Sequence, residues 1–167
     1  MDDALLSRLH AATAGFEATR PAVEASAPWP LATTYDDSDE AEWGPPEVLA
    51  HVAEMASFWL GEMERVIAGE PEPVPFGRVA SDPVRIGILA RDRSLPPREL
   101  YDRTVSSLDR LERRLGELTP TELDRRGLHP RLGEMTVEAI IDRFVVTHLA
   151  EHDVQLKTLL GGGRGAA

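Results

Sequence analysis

The sequence contains no cysteine among its 167 residues. Thiolate ligands, a cysteine nucleophile and disulfide bonds are therefore excluded, and a metal site could be built only from histidine, carboxylate and water. Lysine is almost absent too: Lys157 is the only one, among many arginines, alanines and glycines. This composition is typical of a GC-rich bacterial genome.

Long apolar runs and clusters of basic residues are also missing. No stretch approaches the roughly 20 residues of a membrane-spanning helix. The N-terminal sequence Met1-Asp2-Asp3 lacks the basic and apolar regions of a signal peptide. The formal charge of −11 would repel a phosphate backbone. We therefore expect a cytoplasmic protein that binds neither membranes nor nucleic acid.

Apolar residues recur at helical spacing along most of the chain, and the alternation that marks a strand is hard to find. We predict four main helices, at about residues 3–25, 45–68, 96–118 and 137–160. Pro21 should kink or end the first helix. The expected fold is an all-α four-helix bundle with long connections: one domain over residues 1–160, followed by a flexible tail at 161–167.

Two of the predicted connections are long. The first, residues 28–44, includes the acidic run 36–40, which lacks the ligand spacing of a calcium loop and is interpreted as a solvated loop. The second, residues 69–95, is rich in proline and is predicted to hold one short helical turn around 86–90. A connection of this length is typical of a lid, a crossover or a disordered loop.

The last predicted helix carries two histidines within its apolar face. At 100° per residue, His148, His152 and Gln155 point the same way as Ile141 and Leu156. Histidines four residues apart lie one turn apart, so both imidazoles can reach one cation. Burying an unpaired imidazole costs roughly 1–3 kcal/mol, so these groups need partners. A metal ion is the simplest partner.

His51 is the strongest candidate for a third ligand. It lies about 60° from Val48 on the helix at 45–68, beside the apolar stripe of that helix. His129 lies in a turn-like stretch and is expected at the surface or at the mouth of a pocket. His10 lies beside the apolar stripe of the first helix, and nothing in the sequence connects it with the other histidines.

Non-metal interpretations stay open at this point. His148 and His152 could form a buried hydrogen-bond network with Gln155, Glu62 or Glu151. His51 alone would more commonly be a core residue bonded to a carboxylate or carbonyl. The sequence therefore allows a metal-dependent enzyme, a module that binds metal or a small ligand without turnover, or a purely structural bundle.

Three motifs together resemble the DinB-like superfamily of metalloenzymes. They are Trp-Gly-Pro-Pro-Glu-Val-Leu-Ala-His at 43–51, His-Pro-x-x-Gly-x-Met-Thr at 129–136, and His-x-x-x-His-x-x-Gln at 148–155. That superfamily includes mycothiol-dependent maleylpyruvate isomerases and bacillithiol transferases. The resemblance covers nearly the whole chain. It implies a four-helix bundle with an unusual helix order, a homodimer, and a divalent metal held by His51, His148 and His152.

Three neutral imidazoles would leave coordination positions open, which is the catalytic pattern of metal binding. Zinc or nickel is the expected metal, and iron or cobalt would also accept these ligands. The resemblance implies a transferase that activates a low-molecular-weight thiol for attack on a small electrophile. A metal-dependent hydrolase and a non-catalytic binding module are the alternatives. Gln155 would orient a ligand or the substrate, Glu62 or Glu151 would fix an imidazole tautomer, and Phe58 and Trp59 would line the pocket.

Overall fold

The computed structural model describes residues 2–26, 29–33 and 40–162. The elements along the chain are α1 (Asp3–Ala18), α2 (Arg20–Ser26), a 3₁₀ turn (Glu40–Glu42), α3 (Pro45–Ala68), β1 (Val74–Pro75), α4 (Pro83–Asp92), α5 (Pro97–Gly116), α6 (Pro120–Leu123), β2 (Arg126–His129), β3 (Gly133–Thr136), α7 (Val137–Ile140), a π-helical segment (Ile141–Thr147) and α8 (His148–Gly162).

The four long helical segments form a bundle around one apolar core. Helix α3 packs against α5 and α8, and α1 packs against the same two helices. The order around the bundle is therefore α1, α5, α3, α8, so that α1 and α3 lie across a diagonal. The predicted four-helix bundle is confirmed. Within the described ranges, no helix is both long enough and apolar enough to cross a membrane.

Local sequence signals account for most of the helix boundaries. Helix α3 begins at Pro45 as predicted, and the Glu47 carboxylate accepts a hydrogen bond of 3.1 Å from the Gly44 amide. The first helix breaks at Thr19, two residues before Pro21. Helix α8 continues through Gly161 to Gly162, past the predicted end at residue 160. Residues 163–167 of the predicted tail lie outside the described residues.

A small three-stranded sheet beside the bundle was not predicted. Strand β1 pairs in parallel with β2, and β2 pairs antiparallel with β3. These strands are two to four residues long, too short for an alternating pattern to stand out. His129 was expected at the surface or at the mouth of a pocket; it ends β2 and is only 9% exposed, so the surface position is wrong. Its Nδ1 accepts hydrogen bonds from the amides of Arg131 and Leu132, and its ring stacks on Phe144.

The long connection after α3 is ordered and crosses over the bundle. It contributes β1 and then α4, a ten-residue helix rather than the single turn predicted around 86–90. Two partly buried contacts hold it to α3: Arg78 pairs with Glu54, and the Gly77 amide donates to Glu62 at 2.6 Å. The disordered-loop interpretation is therefore wrong for this segment. Its ordered path places Arg78 on the same cleft as His51, the histidine of α3.

Candidate metal centre

The structure brings together the three histidines that the sequence singled out. His51 lies in the second turn of α3, while His148 and His152 lie in the first two turns of α8. Because α3 and α8 pack side by side, the Nε2 atom of His148 is 3.0 Å from that of His51 and 3.1 Å from that of His152. His10 is half exposed on α1 beside Glu112, and neither it nor His129 belongs to this group.

The spacing of these nitrogens fits a shared cation. Two imidazole nitrogens bound to one zinc ion at about 2.0–2.1 Å lie roughly 2.8–3.4 Å apart when their angle at the metal is between octahedral and tetrahedral. The two measured Nε2 separations, 3.0 and 3.1 Å, fall inside that range. The donor set of neutral nitrogens beside one carboxylate also suits a divalent transition metal.

Gln155 fixes the tautomer of His152. The Gln155 amide nitrogen donates to the backbone carbonyl of Glu40 at 2.6 Å, so its Oε1 faces His152 Nδ1 at 2.8 Å. An amide oxygen can only accept, so Nδ1 carries the proton and Nε2 of a neutral His152 presents a lone pair to the centre. This is the tautomer that a metal requires, held by the contact expected of a ligand-orienting residue.

A network of hydrogen bonds without a metal cannot satisfy both contacts of His148 Nε2 at once. With a lone pair on His152 Nε2, the contact between His152 and His148 needs a proton on His148 Nε2. The same proton would then have to serve His51 as well, because a protonated His148 Nε2 has no lone pair to accept a bond. A single cation satisfies all three nitrogens at once.

Glu40 is the fourth member of the group, and the sequence interpretation missed it. Its carboxylate oxygens lie 4.0 Å from the Nε2 atoms of His51 and His148 and 3.7 Å from that of His152. Arg85 on α4 holds this carboxylate at 2.8 Å. The interpretation of residues 36–40 as a solvated loop is therefore wrong at Glu40. Residues 36–39 lie outside the described part of the chain.

Burial keeps the three imidazoles in the neutral form that binds metal. Burial lowers the pKa of His51 well below its usual value, and the neighbouring His152 and His148 lower it further. The pKa of His148 is also lowered by burial. That of His152 falls to about 4, through burial first and the proximity of His148 second. At neutral pH the site therefore offers lone pairs rather than positive charges.

Trp43 supports the centre from the interior of the bundle. Its ring, only 1% exposed, meets the His51 ring edge-on with centroids 5.1 Å apart and lies nearly parallel to the His152 ring at 6.3 Å. These contacts restrict the rotation of both imidazoles. Among the described residues, the buried Nδ1 of His51 has no hydrogen-bond partner. His51 is therefore oriented by packing, whereas His152 is oriented by Gln155.

The other predicted contributors lie elsewhere or make weaker contacts. Glu62 accepts hydrogen bonds from Arg65 and from the Gly77 amide, so the expectation that it fixes an imidazole tautomer is wrong. Glu151 is mostly exposed, and its oxygen is 3.7 Å from Nδ1 of His148. This distance exceeds that of a hydrogen bond.

A cleft of about 180 Å³ opens beside the histidines. Its larger apolar side chains include Met55, Trp59 and Phe144, and the Trp59 and Phe144 rings stack with centroids 4.5 Å apart. Trp59 thus lines the cleft as expected. Phe58 instead faces a separate depression between α3, α4 and α5. A small molecule in the cleft would contact apolar rings while one end reaches the histidines.

Comparison with known proteins identifies the family and the fold. The family model described as the DinB superfamily matches residues 3–156. The chain belongs to the DinB superfamily. No curated protein matches the sequence. Among solved structures, the chain is similar to YfiT from Bacillus subtilis, described as a probable metal-dependent hydrolase with an unusual four-helix bundle topology. The TM-score is 0.71 at 20% sequence identity, over 99% of this chain and 88% of YfiT. At this identity the similarity establishes the fold.

Proposed function

We propose that this member of the DinB superfamily is a divalent-metal-dependent hydrolase of a small molecule. The observation that carries the proposal is the convergence of three neutral imidazole nitrogens beside a carboxylate, at the end of a cleft. The description of YfiT as a probable metal-dependent hydrolase supports it. His51, His148 and His152 would hold the ion, with zinc or nickel expected and iron or cobalt compatible.

Glu40 is the residue that favours hydrolysis. When bound, the metal would act as a Lewis acid that lowers the pKa of a water molecule towards neutrality. Glu40, within 4.0 Å of the histidine nitrogens, is placed to take the proton from that water and later to return it to the leaving group. Arg85 would hold the carboxylate in position during both transfers.

Transfer from a low-molecular-weight thiol is the second candidate. The Trp59 and Phe144 rings of the cleft wall favour it, because aromatic rings make favourable contacts with sulfur. A protein without cysteine would take the thiol as a co-substrate. A thiol is already far more acidic than water and needs less help from a base, so this reaction would depend less on Glu40.

Comparing two glutamates of the 3₁₀ turn tests the proposal. Zinc-loaded protein would be assayed with p-nitrophenyl acetate, and separately with a small thiol and 1-chloro-2,4-dinitrobenzene. We expect ester hydrolysis that is abolished by chelation and reduced about 100-fold by Glu40→Gln, the typical size of a general-base contribution. Glu42→Gln should leave it unchanged, since Glu42 is exposed on the same turn.

The outcomes of this assay separate the candidate functions. Chelator-sensitive thiol transfer that survives Glu40→Gln would replace hydrolysis with the transferase function. Turnover that is insensitive to chelation would refute both. A protein that binds metal but turns over neither substrate would support the third alternative, a module that binds metal or a small ligand without turnover. The cytoplasmic location and the homodimer remain predictions.

A further inference from the structure

The cleft beside the histidines carries more positive than negative charge. Three arginines line it: Arg78 from the connection after β1, Arg85 from α4 and Arg143 from the π-helical segment. The histidines, held neutral by burial, add no charge. The chain as a whole has a formal charge of −11, but a positive cleft would attract anionic molecules locally.

Two of these arginines already have carboxylate partners. Arg78 donates two hydrogen bonds of 2.5 Å to Glu54, in a pair whose side chains are 12% and 4% exposed. Arg85 donates to Glu40 at 2.8 Å. Their charges are therefore largely balanced by carboxylates of the protein, and both guanidinium groups already form ion pairs.

Arg143 is different. It is exposed, and no carboxylate in the described part of the chain forms an ion pair with it. Its guanidinium carbon lies 5.9 Å from the centroid of the Phe144 ring. A guanidinium presents a planar fork of donors that matches a carboxylate. Arg143 therefore offers an unbalanced charge next to the apolar wall of the cleft.

We propose that the cleft binds a small carboxylate and that Arg143 determines this specificity by pairing with it. The apolar body of the ligand would lie against Phe144 and Trp59, with its other end directed towards the histidines. A cleft of about 180 Å³ is close to the roughly 150 Å³ of a cavity known to hold benzene, so the body is about one ring in size. This inference rests on the proposed function, because it assigns a substrate class to the same site.

Benzoate and benzamide are matched probes, since they share shape and differ in charge. Titration calorimetry would measure both with the zinc-loaded protein and with the metal-free protein. We expect benzoate to bind at least tenfold more tightly than benzamide in either form. Arg143→Met should lower the benzoate affinity about tenfold, near the low end for a hydrogen bond to a charged group, and leave that of benzamide unchanged.

Arg98→Met is the matched control, because Arg98 is an exposed arginine on α5 and lies outside the cleft residues. Equal affinities for the two probes, no measurable binding, or benzoate binding unchanged by Arg143→Met would overturn the proposal. If that last result were confined to the zinc-loaded protein, the carboxylate would bind the metal instead.

Metal content of the same samples separates this proposal from the proposed function. Selective, Arg143-dependent benzoate binding by a protein that takes up no metal would support the carboxylate site and refute the hydrolase. Metal binding by a protein that binds benzoate no more tightly than benzamide would refute the carboxylate site and leave the hydrolase proposal standing.

Discussion

Nδ1 of His152 donates a hydrogen bond of 2.8 Å to Oε1 of Gln155, and the amide nitrogen of the same Gln155 holds the backbone carbonyl of Glu40 at 2.6 Å. One side chain therefore sets the tautomer of a candidate ligand and the position of the turn that carries the candidate base. Gln155 connects the two halves of the site, which lie more than a hundred residues apart in sequence.

Replacing Gln155 tests this connection. Gln155→Leu removes the acceptor for His152 Nδ1, and we expect metal affinity to fall 10–100-fold, the usual effect of losing a group that orients a ligand. Competition for zinc against a chromophoric chelator would measure it. Gln155→Glu keeps an acceptor for His152 and should retain affinity within a few-fold. A Leu variant that binds zinc as tightly as the original protein would refute the role.

Acid should destabilise the metal-free protein in a defined window. The folded state lowers the pKa of His152 from 6.5 to about 4, by burial first and the proximity of His148 second. In the unfolded chain His152 is therefore protonated below about pH 6.5, whereas in the folded chain it stays neutral until about pH 4. The contribution of neutral His152 to stability is fully present above about pH 6.5 and is lost as the pH falls from there to about 4.

The size of that loss can be measured by urea unfolding. For His152 the loss approaches the order of 3 kcal/mol. The measurement would follow metal-free protein between pH 7.5 and 4. A His152→Gln variant should show a shallower dependence on pH. Equal slopes in the two proteins would contradict the assignment of this loss to His152.

Close packing of α1 against α8 predicts a sharp contrast between two glycines. A methyl group at Gly15 would overlap the carboxylate of Asp153, which is buried and also bonded to Lys157. We expect Gly15→Ala to lower the free energy of unfolding by about 1–3 kcal/mol, the usual cost of overpacking. Gly61→Ala on the exposed side of α3 meets nothing within 4 Å and should stabilise the helix by roughly 0.5–1 kcal/mol. Chemical denaturation of both variants would show whether the two changes in the free energy of unfolding have opposite signs.

Much of this structure could be predicted because its signals are local. The spacing of His148 and His152 places both imidazoles on one helix face, and the edge position of His51 on an apolar stripe predicts that it points inward. Prolines and glutamate at the start of α3 define that helix boundary. The Asp82-Pro83 pair that caps α4 was also a local signal, since Asp82 accepts hydrogen bonds from the Val84 and Arg85 amides. The prolines around it favour a loop and mask this signal.

Glu40 could not be predicted in the same way. Its approach to the histidines depends on Arg85 from α4 and on Gln155 from α8, and nothing in the acidic run at 36–40 indicates either contact. The π-helical segment is hidden for a related reason. It changes the angle per residue just before His148, and a periodicity argument assumes that this angle is constant.

Metal content tests the central claim most directly. Untagged protein, purified without added metal and then reconstituted with zinc or nickel, would be measured by elemental analysis beside His51→Ala and His148→Ala, with His10→Ala as the control on α1. We predict about one metal ion per chain in the original protein and in the His10 variant, and loss of the metal in the other two. A folded protein that takes up no metal under these conditions would contradict the account.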